Sequence, residues 1–73
     1  MAYIARLETR HFEFMTMGET ASQALTFMRA TWDAHREQYG KDRVVEFDHY
    51  EEEVKITEME FEAGYRDGEL IWS

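Results

Sequence analysis

The sequence predicts an α+β fold, with an antiparallel sheet of about four strands packed on one main helix at about residues 21–39, in the order ββααββ. Three observations predict it. A capped amphipathic helical stripe occupies the middle of the chain. Alternating, hairpin-like segments stand on both sides of it, the second carrying the turn dipeptide Asp67-Gly68. Apolar residues make up 44% and aromatics 15% of only 73 residues, so large side chains can build a core that so short a chain otherwise struggles to assemble. The length allows a single domain over residues 1–73, with no proline-rich linker, repeat or low-complexity tract.

The first segment reads as a hairpin. Tyr3, Ala5 and Leu7 alternate in one parity, then Phe12 and Phe14 in the other. One flat strand would throw the two sets onto opposite faces. A loop at residues 8–11 reunites them, pairing Leu7 with Phe12, Ala5 with Phe14, Tyr3 with Thr16 and Arg6 with Glu13. One long bulged strand is the alternative.

The helix follows. Thr20 and Gln23 fit a capping box, and Ala21, Leu25, Met28, Trp32, His35 and Tyr39, with Ala24 beside them, form one apolar face. Gly40 suits a left-handed cap, and Arg36 suits the negative end of the helix dipole. Residues 41–53 carry two patterns. Val44, Phe47, Tyr50 and Val54 recur at helical spacing, while Val45, Phe47 and His49 alternate like a strand; a short second helix is the expectation.

The last segment is a hairpin around Asp67-Gly68, pairing Arg66 with Glu69, Tyr65 with Leu70 and Ala63 with Trp72. Met59, Phe61, Ala63, Tyr65, Leu70 and Trp72 would line its core face, and Glu58, Glu60 and Glu62 the other. A parity change between Ile56 and Met59 predicts a bulge or kink near Thr57. Trp32 and Trp72 are expected to be buried in one core. Ile4, Met15, Met17 and Ile71 are expected on the exposed sheet face.

Sixteen acids against eight bases give a formal charge of −8. That disfavours direct nucleic-acid binding, which draws on clustered Lys and Arg, and attraction to an anionic membrane. No apolar run is long enough to span a bilayer, and the start lacks the pattern of a signal peptide, so a cytoplasmic protein is expected. Without cysteine there is no disulfide framework and no thiolate metal site.

The charge is unevenly placed. Residues 1–43 hold six acids and six bases. Residues 44–64 hold Glu46, Asp48, Glu51, Glu52, Glu53, Glu58, Glu60 and Glu62 against Lys55 alone. A charged face is ordinarily only a solvated face, but such faces mix signs. A row at Glu58, Glu60 and Glu62 on one strand, about 6.6 Å apart, would cost self-repulsion in a small domain. It matches a phosphate backbone in sign and regular spacing, and would fit a basic groove whose arginines bind carboxylate and phosphate alike. The candidate partner-binding residues are therefore Glu51, Glu52, Glu53, Glu58, Glu60 and Glu62.

The other chemistry-bearing residues read as structural. His35 lies on the apolar stripe and His11 in the loop. His49 sits among acids that lack the glycine and the Asp/Asn spacing of a calcium loop. Ser22, Thr26, Thr31 and Ser73 stand in no nucleophile motif, and there is no glycine-rich phosphate loop. A chain this short has little room for the secluded pocket that a catalytic carboxyl needs. Phe12, Phe14, Phe61 and Tyr65 could stack bases on a sheet, but they fall on the face the helix needs. No catalytic residue, metal or cofactor is expected.

In size, in charge and in the acidic segment from Glu46 to Glu62 set in a compact helix-plus-sheet pattern, the chain resembles the small acidic inhibitors of phages and other mobile elements, above all the anti-CRISPR proteins. No family motif carries the likeness. It implies a phage-encoded DNA mimic that acts in the host cytoplasm and blocks a basic nucleic-acid-binding protein, a Cas subunit for example, stoichiometrically and without cofactor. The rival expectation is a homo-oligomeric accessory protein, a homodimer pairing two sheets through Ile4, Met15, Met17 and Ile71, or pairing edge strands.

Overall fold

The computed structural model describes residues 1–60, 64–66 and 69–72. Its elements are β1 (Ala2–Glu8), β2 (Glu13–Gly18), α1 (Ala21–Tyr39), two single 3-10 turns (Phe47–His49 and Glu51–Glu53), β3 (Lys55–Met59), β4 (Gly64–Arg66) and β5 (Glu69–Trp72). The class is α+β. One helix packs on a three-stranded antiparallel sheet of order β2-β1-β3, and β4 and β5 pair in a separate two-stranded sheet.

The helix occupies residues 21–39 as expected. The Thr20 hydroxyl accepts from the Gln23 amide at 3.0 Å, and Gln23 Oε1 accepts from the backbone amide of Glu19 at 2.6 Å, one residue before the cap. This is the capping box displaced by one donor. Gly40 ends the helix at a φ of 102°, its amide donating to Arg36 O at 2.8 Å. Ala24, Met28 and Trp32 are the buried helical positions, and they meet Ala5 and Leu7 of β1 and Phe47 from the connection. Leu7, Met28 and Phe47 are the largest fully buried side chains, each contributing about 1.5–3 kcal/mol of hydrophobic stabilisation. Tyr39, on the same stripe, overshoots the sheet and is exposed.

The first hairpin keeps its predicted faces but shifts by two residues. Leu7 pairs with Phe14, Ala5 with Thr16 and Tyr3 with Gly18. The cause is Thr9. Its amide and hydroxyl donate to Phe12 O at 2.8 and 3.1 Å, and its Oγ1 accepts from the Phe12 amide at 3.2 Å. Phe12 is thereby used by the turn and cannot pair with Leu7. Parity survives a shift of two, so the core face is unchanged. Arg6 now faces Met15 rather than Glu13, and Glu8 faces Glu13.

No second α-helix forms over residues 41–53. Phe47 and Tyr50, three residues apart, suit the three-residue period of the two 3-10 turns. The connection is also held by α1, which leaves it no freedom to wind on its own axis. Trp32 Nε1 donates to Val45 O at 2.9 Å, and Arg36 donates to Val44 O and Lys41 O, each at 3.1 Å.

The C-terminal half departs furthest from expectation. β3 pairs with β1 without interruption from Arg6↔Lys55 to Ala2↔Met59, so no bulge occurs near Thr57. In that register Ile56 and Glu58 share the helix side with Tyr3 and Ala5, while Met59 lies on the outer face with Ala2 and Ile4; the predicted faces are exchanged. In the β4–β5 hairpin, Arg66↔Glu69 and Tyr65↔Leu70 pair as expected, but an irregularity beside Gly64 sets Gly64, not Ala63, against Trp72. Because this hairpin is a sheet apart from β1–β3, Trp72 finds no place in the shared core and is 61% exposed, against 3% for Trp32. The expected turn at Asp67-Gly68, and the placements of Phe61 and Ala63, lie outside the described residues.

Candidate partner-binding surface

The acidic stretch is displayed by a connection whose apolar residues, Val45 excepted, are spent inward. Phe47 is buried, and Val44, Tyr50 and Val54 pack against the core cluster. Inward positions at intervals of three, three and four leave Glu46, Asp48, Glu52 and Glu53 to point out, and all four are exposed. The backbone under them is closed by His49 N–H to Glu46 O (3.1 Å), Tyr50 N–H to Phe47 O (2.8 Å), Glu53 N–H to Tyr50 O (2.9 Å) and Val54 N–H to Glu51 O (3.3 Å). The Tyr50 ring rests on Trp32 with centroids 5.2 Å apart.

One basic residue from outside the stretch enters it. Arg29, on the helix, donates to Asp48 Oδ1 at 3.2 Å and to Glu51 Oε1 at 3.1 Å, while its guanidinium carbon stands 4.9 Å from the centroid of Phe47. The hydrogen bond to Asp48, with the neighbouring charges of Glu51 and Asp48, raises the Arg29 pKa above its ordinary value despite some opposing desolvation. The expectation of an acidic segment balanced by Lys55 alone is thus corrected. The signal for Arg29 was present in the sequence: it follows the core residue Met28 and so turns about 100° to one side of the buried stripe.

Of the six predicted partner-binding residues, Glu51 is half-buried and engaged by Arg29, whereas Glu52 and Glu53 are exposed. Glu58 is exposed on β3, opposite Tyr3. Glu60 is exposed just beyond the end of β3 and has a partner. Glu62 lies outside the described residues. The regular row of three carboxylates on one strand is therefore not what the described residues form, because β3 ends at Met59. What they form is a cluster from turn and strand. Glu46, Glu52, Glu53 and Glu58 carry no ion pair among the described residues. Over residues 44–60, seven carboxylates face Lys55 and Arg29, a local net of −5.

Beside this cluster an open concavity is lined by Lys41, Arg43, Glu46, Asp48 and His49 among others, with both signs of charge on its walls. Among the described residues no group of three His, Asp or Glu is arranged to hold a metal, and no helix is long and apolar enough to cross a membrane. His35 stands among Phe12, Phe14, Trp32 and Tyr39, with centroids 4.8–5.3 Å away, as a boundary residue of the core. On the outer face of the three-stranded sheet Met15 and Met17 are exposed, and Ile71 is exposed on β5 of the separate sheet, but Ile4 is only 5% exposed and is not free to meet a second sheet.

Comparison with protein-family models, curated proteins and solved structures finds no match.

Proposed function

We propose that this protein is a non-enzymatic binding module that offers the carboxylates of residues 46–60 to a basic, nucleic-acid-binding surface of a partner protein, and so inhibits it in the manner of the anti-CRISPR proteins. One observation carries the reading: Glu46, Glu52, Glu53 and Glu58 are exposed and unpaired among the described residues, and three of them stand on a connection pinned to α1 through Trp32, Arg36 and Arg29. A backbone already held in place need not be ordered on binding, and a surface of one sign steers a partner of the other. A Cas effector subunit whose groove holds nucleic acid is the partner class this chemistry suits.

The test compares two triple variants of equal charge. Glu52, Glu53 and Glu58→Gln removes three carboxylates from the cluster. Glu8, Glu19 and Glu37→Gln removes three from the balanced half. Against purified DNA-binding Cas complexes, the first is expected to slow association and flatten its salt dependence, as the screening length falls from about 10 Å at 0.1 M salt to about 3 Å at 1 M. Equal binding by both variants, or simultaneous binding of this protein and the complex's DNA, refutes the reading.

A further inference from the structure

We propose that the free edge of β2, together with the flank of α1 above it, is a two-fold interface with a second copy of this chain, joining two three-stranded sheets into one of six.

β2 pairs with β1 on one side, and on the other no described strand takes up its outward N–H and C=O groups. Natural edges are guarded by Lys, Pro, bulges or short length. β2 reads Glu-Phe-Met-Thr-Met-Gly over six residues, with a continuous register, no proline and one charge at its end. Met15 and Met17 are 59% and 58% exposed.

The flank of the helix supplies an independent observation. Met28 points into the core. Arg29 turns about 100° to one side, toward the connection that leads into β3, and Phe27 turns as far to the other. That other side is the β2 side: Ala24, which leans toward it, accepts a hydrogen bond from Thr16 of β2 at 2.8 Å. The helical positions there are Gln23, Phe27, Ala30, Thr31, Ala34 and Gln38, none of them charged, and Phe27 is 44% exposed. In a chain with 33% charged residues, a bare strand edge and an uncharged helix flank on one side mark where a copy of net charge −8 meets least repulsion.

Symmetry then selects the register. A two-fold axis normal to the sheet keeps both outer faces together, so residues opposite each other must share parity, and the axis falls on Met15 or on Thr16. At Thr16 it would set Glu13 against Glu19 of the second copy. At Met15 it sets Met15 against Met15 and Glu13 against Met17, with the two Glu13 side chains roughly 13 Å apart along the strands. The Met15 register follows, with Phe27 of each copy meeting the other helix across the axis. A strip about 20 Å long and two layers deep belongs to the small interface class, below about 1,200 Å² in total, so a dimer of micromolar strength is expected.

Sedimentation of the full chain across micromolar to millimolar concentration is the test. Dimerisation is expected to strengthen with salt, because salt screens the repulsion between like-charged copies; this is opposite in sign to the partner binding proposed above, so the two readings fail separately. Phe27→Glu is expected to weaken the dimer by about tenfold or more, and Ile71→Lys on β5 to leave it unchanged. Amide exchange of the unaltered chain gives a readout independent of any variant: β2 amides gain protection as concentration rises, and β3 amides do not. A chain that stays monomeric to millimolar concentration, a dimer lost with Ile71→Lys but kept with Phe27→Glu, or concentration-dependent protection on β3 alone each overturns the proposal.

Discussion

Gly18→Ala tests the closest approach of helix and sheet. Gly18 is buried at the end of β2, opposite Tyr3, so an added Cβ would point into the helix layer. That Cβ would stand 2.6 Å from the Ala24 amide nitrogen and 3.0 Å from the Gln23 carbonyl carbon. Ordinary contact begins near 3.4 Å, so the first helical turn must retreat by about 0.8 Å; the third obstructing atom, Gln23 Cβ at 3.0 Å, is fixed to the same backbone and offers no flexible end to move aside. The same retreat would stretch the Thr16–Ala24 hydrogen bond from 2.8 Å to about 3.6 Å, which is no longer a hydrogen bond. Overpacking costs about 1–3 kcal/mol, and the lost hydrogen bond about 1 kcal/mol more. Restricting the unfolded chain returns about 0.4–1 kcal/mol. The expected net loss is about 2–3 kcal/mol, or a fall of about 10–20 °C in Tm for a domain of this size, read by circular dichroism and urea unfolding. Gly40→Ala is the matched comparison. Its Cβ would have open space, the nearest atom being Arg43 Cδ at 3.8 Å, and only the φ of 102° is unfavourable, so a cost of about 1 kcal/mol is expected. A Gly18→Ala loss below about 0.5 kcal/mol, or a smaller loss than that of Gly40→Ala, would refute the close-approach reasoning.

Trp32→Phe removes the donor to Val45 O and leaves that carbonyl without its indole partner, so a loss of about 2 kcal/mol is expected in urea unfolding, with faster amide exchange over residues 44–51. The remaining tryptophan, Trp72, is expected to emit near the wavelength of free tryptophan in water and to be readily quenched by iodide; a blue-shifted, protected emission would contradict its exposure. Arg29→Gln releases Asp48 and Glu51 and is expected to leave the fold intact while speeding association with a basic DNA-binding complex at low salt; slower association would count against the acidic cluster as the docking surface.

The helix was legible to the residue. Its caps are local, since Thr20, Gln23 and Gly40 act on backbone groups within a turn, and its buried stripe is set by a period that no distant contact alters. The parity of the first hairpin was legible for the same reason, although its register was not, because the turn was decided by the Thr9 hydroxyl rather than by apolar alternation. The acidic stretch could be read from charge count alone, but which of its members stay free could not: Arg29 is 19 residues from Asp48 and 22 from Glu51, and only the packing of α1 brings them together.

Alternation says which residues of a strand share a face and leaves open which strand it will pair with. Composition and periodicity were therefore enough for the α+β class, the span of α1, the core positions Ala5, Leu7, Met28 and Trp32, and the concentration of charge after residue 43. Long-range assembly was needed to pair β3 with β1 in a register placing Met59 outside and Glu58 on the helix side, and to set β4 and β5 in a sheet of their own with Trp72 exposed. The physical reason is that a strand's hydrogen-bonding partners lie far away along the chain, so its pairing and face are settled by competition among edges, whereas a helix satisfies its own backbone.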